Sequence, residues 1–222
     1  MDTTEKLTIG YWKIRGLGRS VVLVCEMAGA PYELVQYEQG DAPDFDSSCW
    51  FDVKFTLGLD FPNLPYLIDG DFKMTETVPI MQYICNKYKP ELLGETPKEK
   101  AIAGMLMNIV QDAKLVTLMF YRTSDKSEVL TEIYKKFAPI EKFLEGKKFI
   151  LGDKVCYTDL HLYELLSCID AIDGEGNVEK NFPNLWTLKT SVGELPEITA
   201  FVASDRNQKL LYNNKIAKIN SY

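Results

Sequence analysis

Two short stretches of this 222-residue chain carry the groups with most to offer chemically. The first is Tyr11-Trp12-Lys13-Ile14-Arg15-Gly16, where a short strand, Lys6 to Tyr11, gives way to a helix. In a small α/β domain, ligands and reactive groups gather at such a strand end. No cysteine stands in this turn, so thiol–disulfide exchange from it is disfavoured. What it offers is a phenol, which can donate a hydrogen bond to an anion while keeping its proton, given a reference pKa of about 10. The second stretch is Phe61-Pro62-Asn63-Leu64-Pro65, running on to Glu76-Thr77. Pro65 enters an edge strand, Tyr66 to Asp69, and is a candidate for a cis bond. Such a turn would leave the N–H and C=O of Leu64 facing outward, ready to pair with an extended peptide. Thr77 reads as an N-cap with Val78 and Pro79 in the first turn, and the amides and dipole there favour a carboxylate. A strand edge beside an anion site suits a small anionic peptide. An ordinary turn and an ordinary cap are the alternative.

Other chemistry is sparse. His161 is the only histidine and falls inside an expected helix, where packing is the simpler role. The five cysteines, Cys25, Cys49, Cys85, Cys156 and Cys168, include no C-x-x-C and read as reduced thiols of a cytosolic protein. No metal-ligand spacing occurs, so no metal and no cofactor is expected. A net charge of −7 argues against nonspecific nucleic-acid binding. The longest apolar runs, such as Val21 to Cys25, are too short for a membrane span. The polar start, Met1 to Lys6, does not read as a secretory leader.

The elements that must position these groups follow from the patterning. Lys6 to Tyr11 as strand, Arg19 to Ala28 as helix and Pro31 to Tyr37 as strand form a βαβ unit with a right-handed crossover. After a polar loop, Glu38 to Cys49, and the weakly periodic Trp50 to Gly58 come the Pro65 strand, a turn at Asp69-Gly70, a strand Phe72 to Met74 and a helix Thr77 to Tyr88. A mixed four-stranded sheet with helices on its faces closes this order. Strand signals then stop. Residues 1–89 are expected to form an α/β domain, 90–97 a linker and 98–222 an all-helical domain. Ala101, Ile102, Met105, Leu106, Ile109, Val110 and Ala113 follow the spacing of one long amphipathic helix. Leu130, Ile133, Tyr134, Phe137 and Leu144 give a second, which Pro139 should kink. Tyr157 to Ile169 reads as the core helix of this half. Shorter helices are expected around Leu185 to Val192 and Ile198 to Ser204, and Asn207 to Tyr222 has no clear pattern.

The motifs G-Y-W-K-I-R-G at 10–16, G-D-A-P-D-F-D at 40–46 and K-F-T-L-G-L-D-F-P-N-L-P-Y-L-I-D-G at 54–70 resemble the cytosolic glutathione S-transferases, specifically the mu class. The resemblance runs nearly the full length and is strongest from Ile9 to Tyr88. It implies a thioredoxin-like N-terminal domain that binds glutathione and a helical C-terminal domain that helps form the second-substrate pocket. By that resemblance Tyr11 would hydrogen-bond the glutathione sulfur. Trp12, Trp50 and Lys54 would hold the glycyl end, with Lys54 facing its carboxylate. The backbone of Leu64, ahead of a cis Pro65, would pair with the cysteinyl unit, with Asn63 beside it. Glu76 and Thr77 would receive the γ-glutamyl group, and Asp112 would reach its ammonium from the other subunit of a homodimer. Phe61 would plug a pocket in that partner. Leu17 and Tyr121 resemble electrophile-pocket positions, Tyr121 only with a one-residue shift, and an aromatic that merely packs is its alternative.

The chain departs from the mu pattern in places. Glu76-Thr77 stands where Gln-Ser is usual, adding a charge that is good for the substrate ammonium and poor for its neighbouring carboxylate. Cys156-Tyr157-Thr158-Asp159 puts a cysteine where a Ser or Thr cap is usual, which should forgo about 1 kcal/mol. The implied function is conjugation of glutathione, as co-substrate, to hydrophobic electrophiles in cytoplasmic detoxification. A ligand-binding or assembly module on the same fold is the alternative, although it need not keep Tyr11, Lys54, Asn63 and Asp112 together, and a glutathione-dependent isomerase or peroxidase would use the same thiolate.

Overall fold

A computed structural model describes residues 6–222. The start read above as polar therefore lies, but for Lys6, outside the described residues. The chain forms two compact units, one of Met1–Lys89 with Lys209–Ile216 and one of Pro90–Gln208 with Ala217–Tyr222.

In the first unit, β1 (Leu7–Trp12), α1 (Gly18–Ala28) and β2 (Tyr32–Tyr37) make the expected βαβ unit. The sheet is completed by β3 (Tyr66–Asp69) and β4 (Phe72–Thr75), and α3 spans Thr77–Tyr88. The order is β2-β1-β3-β4, with β1 parallel to β2 and the β1–β3 and β3–β4 pairs antiparallel. The mixed four-stranded sheet of a thioredoxin-like domain is thus present. The apolar run of α1, with Val21, Val24 and Cys25 fully buried, packs beside α3, whose Ile80, Met81 and Ile84 are equally buried. β1 carries Gly10 for a steric reason, since a Cβ there would lie 2.1 Å from the Tyr66 ring. The weakly periodic stretch after the polar loop forms only one short helix, α2 (Ser48–Phe51), followed by turns.

The tail, which had no pattern of its own, has a definite place. Lys209–Ile216 belongs to the first unit, so residues 98–222 are not all part of the helical body. Non-local bonds decide this. The Arg15 and Gly16 amides donate to the carbonyls of Leu211 and Tyr212, at 2.8 and 3.0 Å.

The second unit is helical. The expected linker, 90–97, holds a 3-10 turn at Pro90–Leu93 and already contains the first residue of α4 (Pro97–Leu115). α4 opens on a capping box, Thr96 with Glu99. Its buried face is Ala103, Leu106, Met107, Val110 and Ala113, while Met105 and Ile109 are exposed, so the stripe is rotated from the expected one. A 3-10 segment, Val116–Tyr121, extends it. Pro97–Tyr121 is long and apolar enough to cross a membrane, but its buried face packs on α6 within this unit. α5 (Lys126–Phe143) runs on through Pro139. α6 (Tyr157–Asp173) is the central helix, with Leu160, Leu162, Leu165, Leu166 and Ile169 fully buried. α7 (Asn177–Asn181), α8 (Pro183–Gly193) and α9 (Pro196–Val202) complete it.

The cysteine at the head of α6 does not leave that helix uncapped. Asp159 accepts from the amides of Cys156 and Ile150, each at 2.8 Å, and so ties the preceding loop to the helix start. Burial raises this carboxyl to about 6 in spite of the two amides. His161 is a packed core residue. Its Nε2 lies 2.7 Å from Gln111 Oε1, and burial, then Lys114, lowers its pKa to about 3.

Candidate functional site

The register of the sheet gathers most of the candidate residues at one end. Gly10, Tyr66 and Thr75 form a row across β1, β3 and β4. One residue beyond that row lie Tyr11, Pro65 and Glu76, respectively. Residues separated by more than fifty positions thus converge because strand pairing fixes where each strand stops. β3 begins at Tyr66, and the Leu64–Pro65 peptide ahead of it is cis, as expected, so Leu64 lies just outside the paired residues. A second cis bond, Ala42–Pro43, was not expected.

Tyr11 is the best-positioned polar group at this end. It is half-buried near the end of β1, and its hydroxyl accepts a 2.9 Å bond from the Leu17 amide. A hydroxyl that accepts from an amide is polarised as a donor, which strengthens any bond it gives to an anion. Gly16 makes this geometry possible. Its φ is +41°, and a Cβ there would lie 2.6 Å from the Tyr11 oxygen. Two contributors therefore act through the main chain. The amide of Leu17 has no side-chain signature, and Gly16 could be found only as a glycine close after the phenol.

Tyr37, Trp50, Leu59 and Tyr66 form a hydrophobic cluster, with Trp12 and Leu64 packed against it. Trp50 is stacked on Tyr66 at 6.2 Å between ring centroids and meets the edge of Tyr37 at 5.1 Å. It is 4% exposed and is held in place by these rings. Trp12, more open, meets the edge of Tyr37 at 6.5 Å. The hydroxyls of Tyr37 and Tyr66 share a 3.0 Å bond, and burial, then that bond, pushes the Tyr66 phenol up. Sequence reading missed both tyrosines, since an aromatic at a strand end announces packing and no more. One turn beyond α2, the Lys54 ammonium lies 5.9, 5.6 and 5.0 Å from the ring centroids of Trp50, Phe51 and Phe55. Those faces hold a flexible cation near one position.

The helix start differs from expectation by one residue. Glu76, not Thr77, is the N-cap of α3, with φ +77° and no side-chain capping bond, and Thr77 is the first helical residue. Thr77 is 4% exposed, so most of its side chain is packed. The Glu76 side chain accepts a 3.2 Å bond from Asn63 Nδ2, which links the cis-proline turn to the helix start. The α3 dipole still favours an anion at this end.

The remaining candidates lie elsewhere. Phe61 stands out on its loop with 79% exposure. Asp112 is an exposed residue of α4, and Tyr121 ends the 3-10 segment, half-buried, both in the helical unit.

Family models match both parts of the chain, namely glutathione S-transferase, N-terminal domain, over residues 7–86 and glutathione S-transferase, C-terminal domain, over 112–205. Glutathione S-transferase Mu 2 of Macaca fuscata fuscata is 38% identical over 90% of this chain and 92% of its own. Glutathione S-transferase Mu 1 of Rattus norvegicus is 36% identical over 96% and 97%. The crystal structure of the glutathione S-transferase Blo t 8 superposes with a TM-score of 0.80 at 25% identity, covering 96% of this chain and 99% of that one.

Proposed function

The chain belongs to the glutathione S-transferase family, with mu-class relatives, and from that premise we propose that it conjugates the glutathione thiolate to hydrophobic electrophiles through Tyr11. The observation that carries this reading is the Tyr11 hydroxyl, held by the Leu17 amide at 2.9 Å at the sheet end shared with Pro65 and Glu76. Glutathione has two carboxylates, an ammonium and a thiol. Lys54, steered by its aromatic neighbours, serves the glycyl carboxylate, with Trp12 and the edge of Trp50 beside it. The backbone of Leu64 before Pro65, with Asn63 alongside, pairs with the cysteinyl unit. Glu76 and Thr77 receive the γ-glutamyl group. Asp112 reaches its ammonium from a partner subunit, which the exposed Phe61 anchors. Leu17 and Tyr121 receive the electrophile. Detoxification in the cytoplasm fits such a reaction.

The contribution of Tyr11 can be sized. A free thiol of pKa about 8.5 is only a few per cent ionised at neutral pH. A hydrogen bond to a charged acceptor is worth about 1.5–3 kcal/mol, enough to lower that pKa by roughly one to two units. Even full ionisation would gain no more than roughly thirtyfold, part of which is returned because a less basic thiolate is a weaker nucleophile. The rest must come from holding the electrophile beside the sulfur.

The test is the conjugation rate with 1-chloro-2,4-dinitrobenzene for wild type beside Tyr11→Phe. A wild-type rate that falls about tenfold or more supports thiolate activation by this phenol. Equal rates reject Tyr11 as the activating group. Wild type that binds glutathione but conjugates no electrophile rejects the transferase reading in favour of a binding module.

A further inference from the structure

The tail segment Lys209–Ile216 is built onto the end of the sheet that carries Tyr11. Its Leu211 and Tyr212 carbonyls accept from the amides of Arg15 and Gly16, at 2.8 and 3.0 Å. The Tyr212 ring is 4% exposed and lies under the Arg15 guanidinium, 4.3 Å from its carbon to the ring centroid. Further along, the Lys215 ammonium lies 2.7 Å from Asp41 Oδ1 and 3.5 Å from Glu38 Oε1. The Ile216 amide donates to Gln39 Oε1 at 3.2 Å. The segment is therefore a strap across two loops, one leaving β1 and one leaving β2. It lies beyond the C-terminal domain model, which ends at residue 205.

The strap touches the catalytic loop at a telling place. Gly16, whose amide it holds, lies against the Tyr11 oxygen, and the next amide, that of Leu17, donates to that oxygen. Glycine is the residue least able to hold a conformation by itself. The Arg19 amide fixes the Arg15 carbonyl at 2.8 Å, while the Gly16 amide is fixed from outside the loop. The Tyr212 carbonyl fixes it, and the Arg15–Tyr212 stack keeps that carbonyl in register.

We propose that Tyr212 is a positioning residue for Tyr11, acting through Gly16 and Leu17, and that Lys209–Ile216 is the strap that sets the phenol's aim at the thiol. The proposal rests on the reading of Tyr11 as the thiolate-stabilising group.

The experiment titrates the thiolate absorbance of enzyme-bound glutathione in wild type, Tyr11→Phe, Tyr212→Ala, Tyr212→Phe and Lys215→Glu. Tyr11→Phe should raise the midpoint by about one to two units. Folded Tyr212→Ala should raise it by about half a unit or more and lower kcat roughly 3–10-fold, with KM for glutathione within about twofold. Tyr212→Phe keeps the stacked ring and the carbonyl, and should restore the wild-type midpoint. Lys215→Glu sets like charge against Asp41 and Glu38, loosening the strap from its exposed end without touching the core. It should move the midpoint the same way, and it decides the question if Tyr212→Ala does not fold. A shifted Tyr11→Phe beside unshifted Tyr212→Ala and Lys215→Glu overturns the strap alone. An unshifted Tyr11→Phe overturns the thiolate reading and the strap with it.

Discussion

Replacing Gly16 with alanine tests the positioning of the phenol most directly. The added Cβ would lie 2.6 Å from the Tyr11 oxygen and 2.9 Å from its Cε1. Ordinary contacts of this kind need about 3.5 Å, so the phenol must retreat by roughly 0.6–0.9 Å or the loop must open by as much. Either movement degrades the 2.9 Å bond from the Leu17 amide. A misplacement of about 1 Å can cost roughly a hundredfold in rate. Because the phenol itself is worth no more than roughly thirtyfold, the expected loss in kcat/KM is about 3–30-fold, or about 0.7–2 kcal/mol of transition-state stabilisation. A separate stability penalty of about 1–2 kcal/mol follows from placing a Cβ at φ +41°. The assay is steady-state conjugation of 1-chloro-2,4-dinitrobenzene, read beside thermal unfolding so that the two effects are not confused. Gly16→Ala that is folded and conjugates within about twofold of wild type would refute the claim that this close approach sets the phenol.

Lys54→Met should raise KM for glutathione about tenfold and leave kcat nearly unchanged, because a half-buried cation on a remote carboxylate gives ground state and transition state the same help. A fall in kcat of equal size would show that Lys54 acts in the chemical step. Asp159→Ala strands two buried amides and should destabilise by about 2–4 kcal/mol in a denaturant titration. The pH dependence of the same carboxyl has a definite sign. Its folded pKa, about 6, stands above its reference value of 3.8, so between these values the native state binds the extra proton. Stability from this group is fully present below the lower value and is lost as pH rises through about 6. Wild type measured against Asp159→Asn should therefore gain relative stability as pH falls across that window, and a flat difference would remove the assignment.

The parts of this fold that were legible in sequence are those written in local pattern. Tyr66–Asp69 and Thr77–Tyr88 form the strand and helix expected of them, since a proline enters one and the other alternates apolar positions at helical spacing. The helix start was misread by one residue for a local reason as well. Hydroxyl residues are favoured N-caps, but here a glutamate at φ +77° takes that place and Thr77 becomes the first helical residue. In α4 the apolar residues outnumber those that one face can bury, so periodicity could not say that Met105 and Ile109 would stay outside. The tail was illegible because bonds to Arg15, Gly16 and Gln39 hold it, and these lie some two hundred residues away. Among the candidate site residues, side chains with a charge or a phenol could be singled out from their order. The amide of Leu17 could not, because every residue but proline offers one.

The place of Lys209–Ile216 also has a consequence for biogenesis. The first unit is discontinuous in the chain, made of Met1–Lys89 and a piece near the other end. Domains generally fold as they leave the ribosome, N-terminal part first. Here the sheet and its helices can assemble early, but Lys209–Ile216 follows only after Pro90–Gln208 of the other unit has been made. On the proposed role of the strap, competence for the reaction waits until Lys209–Ile216 has been made. A product that stops short of residue 209 would carry the sheet, α1, α3 and Tyr11, and would still lack the brace.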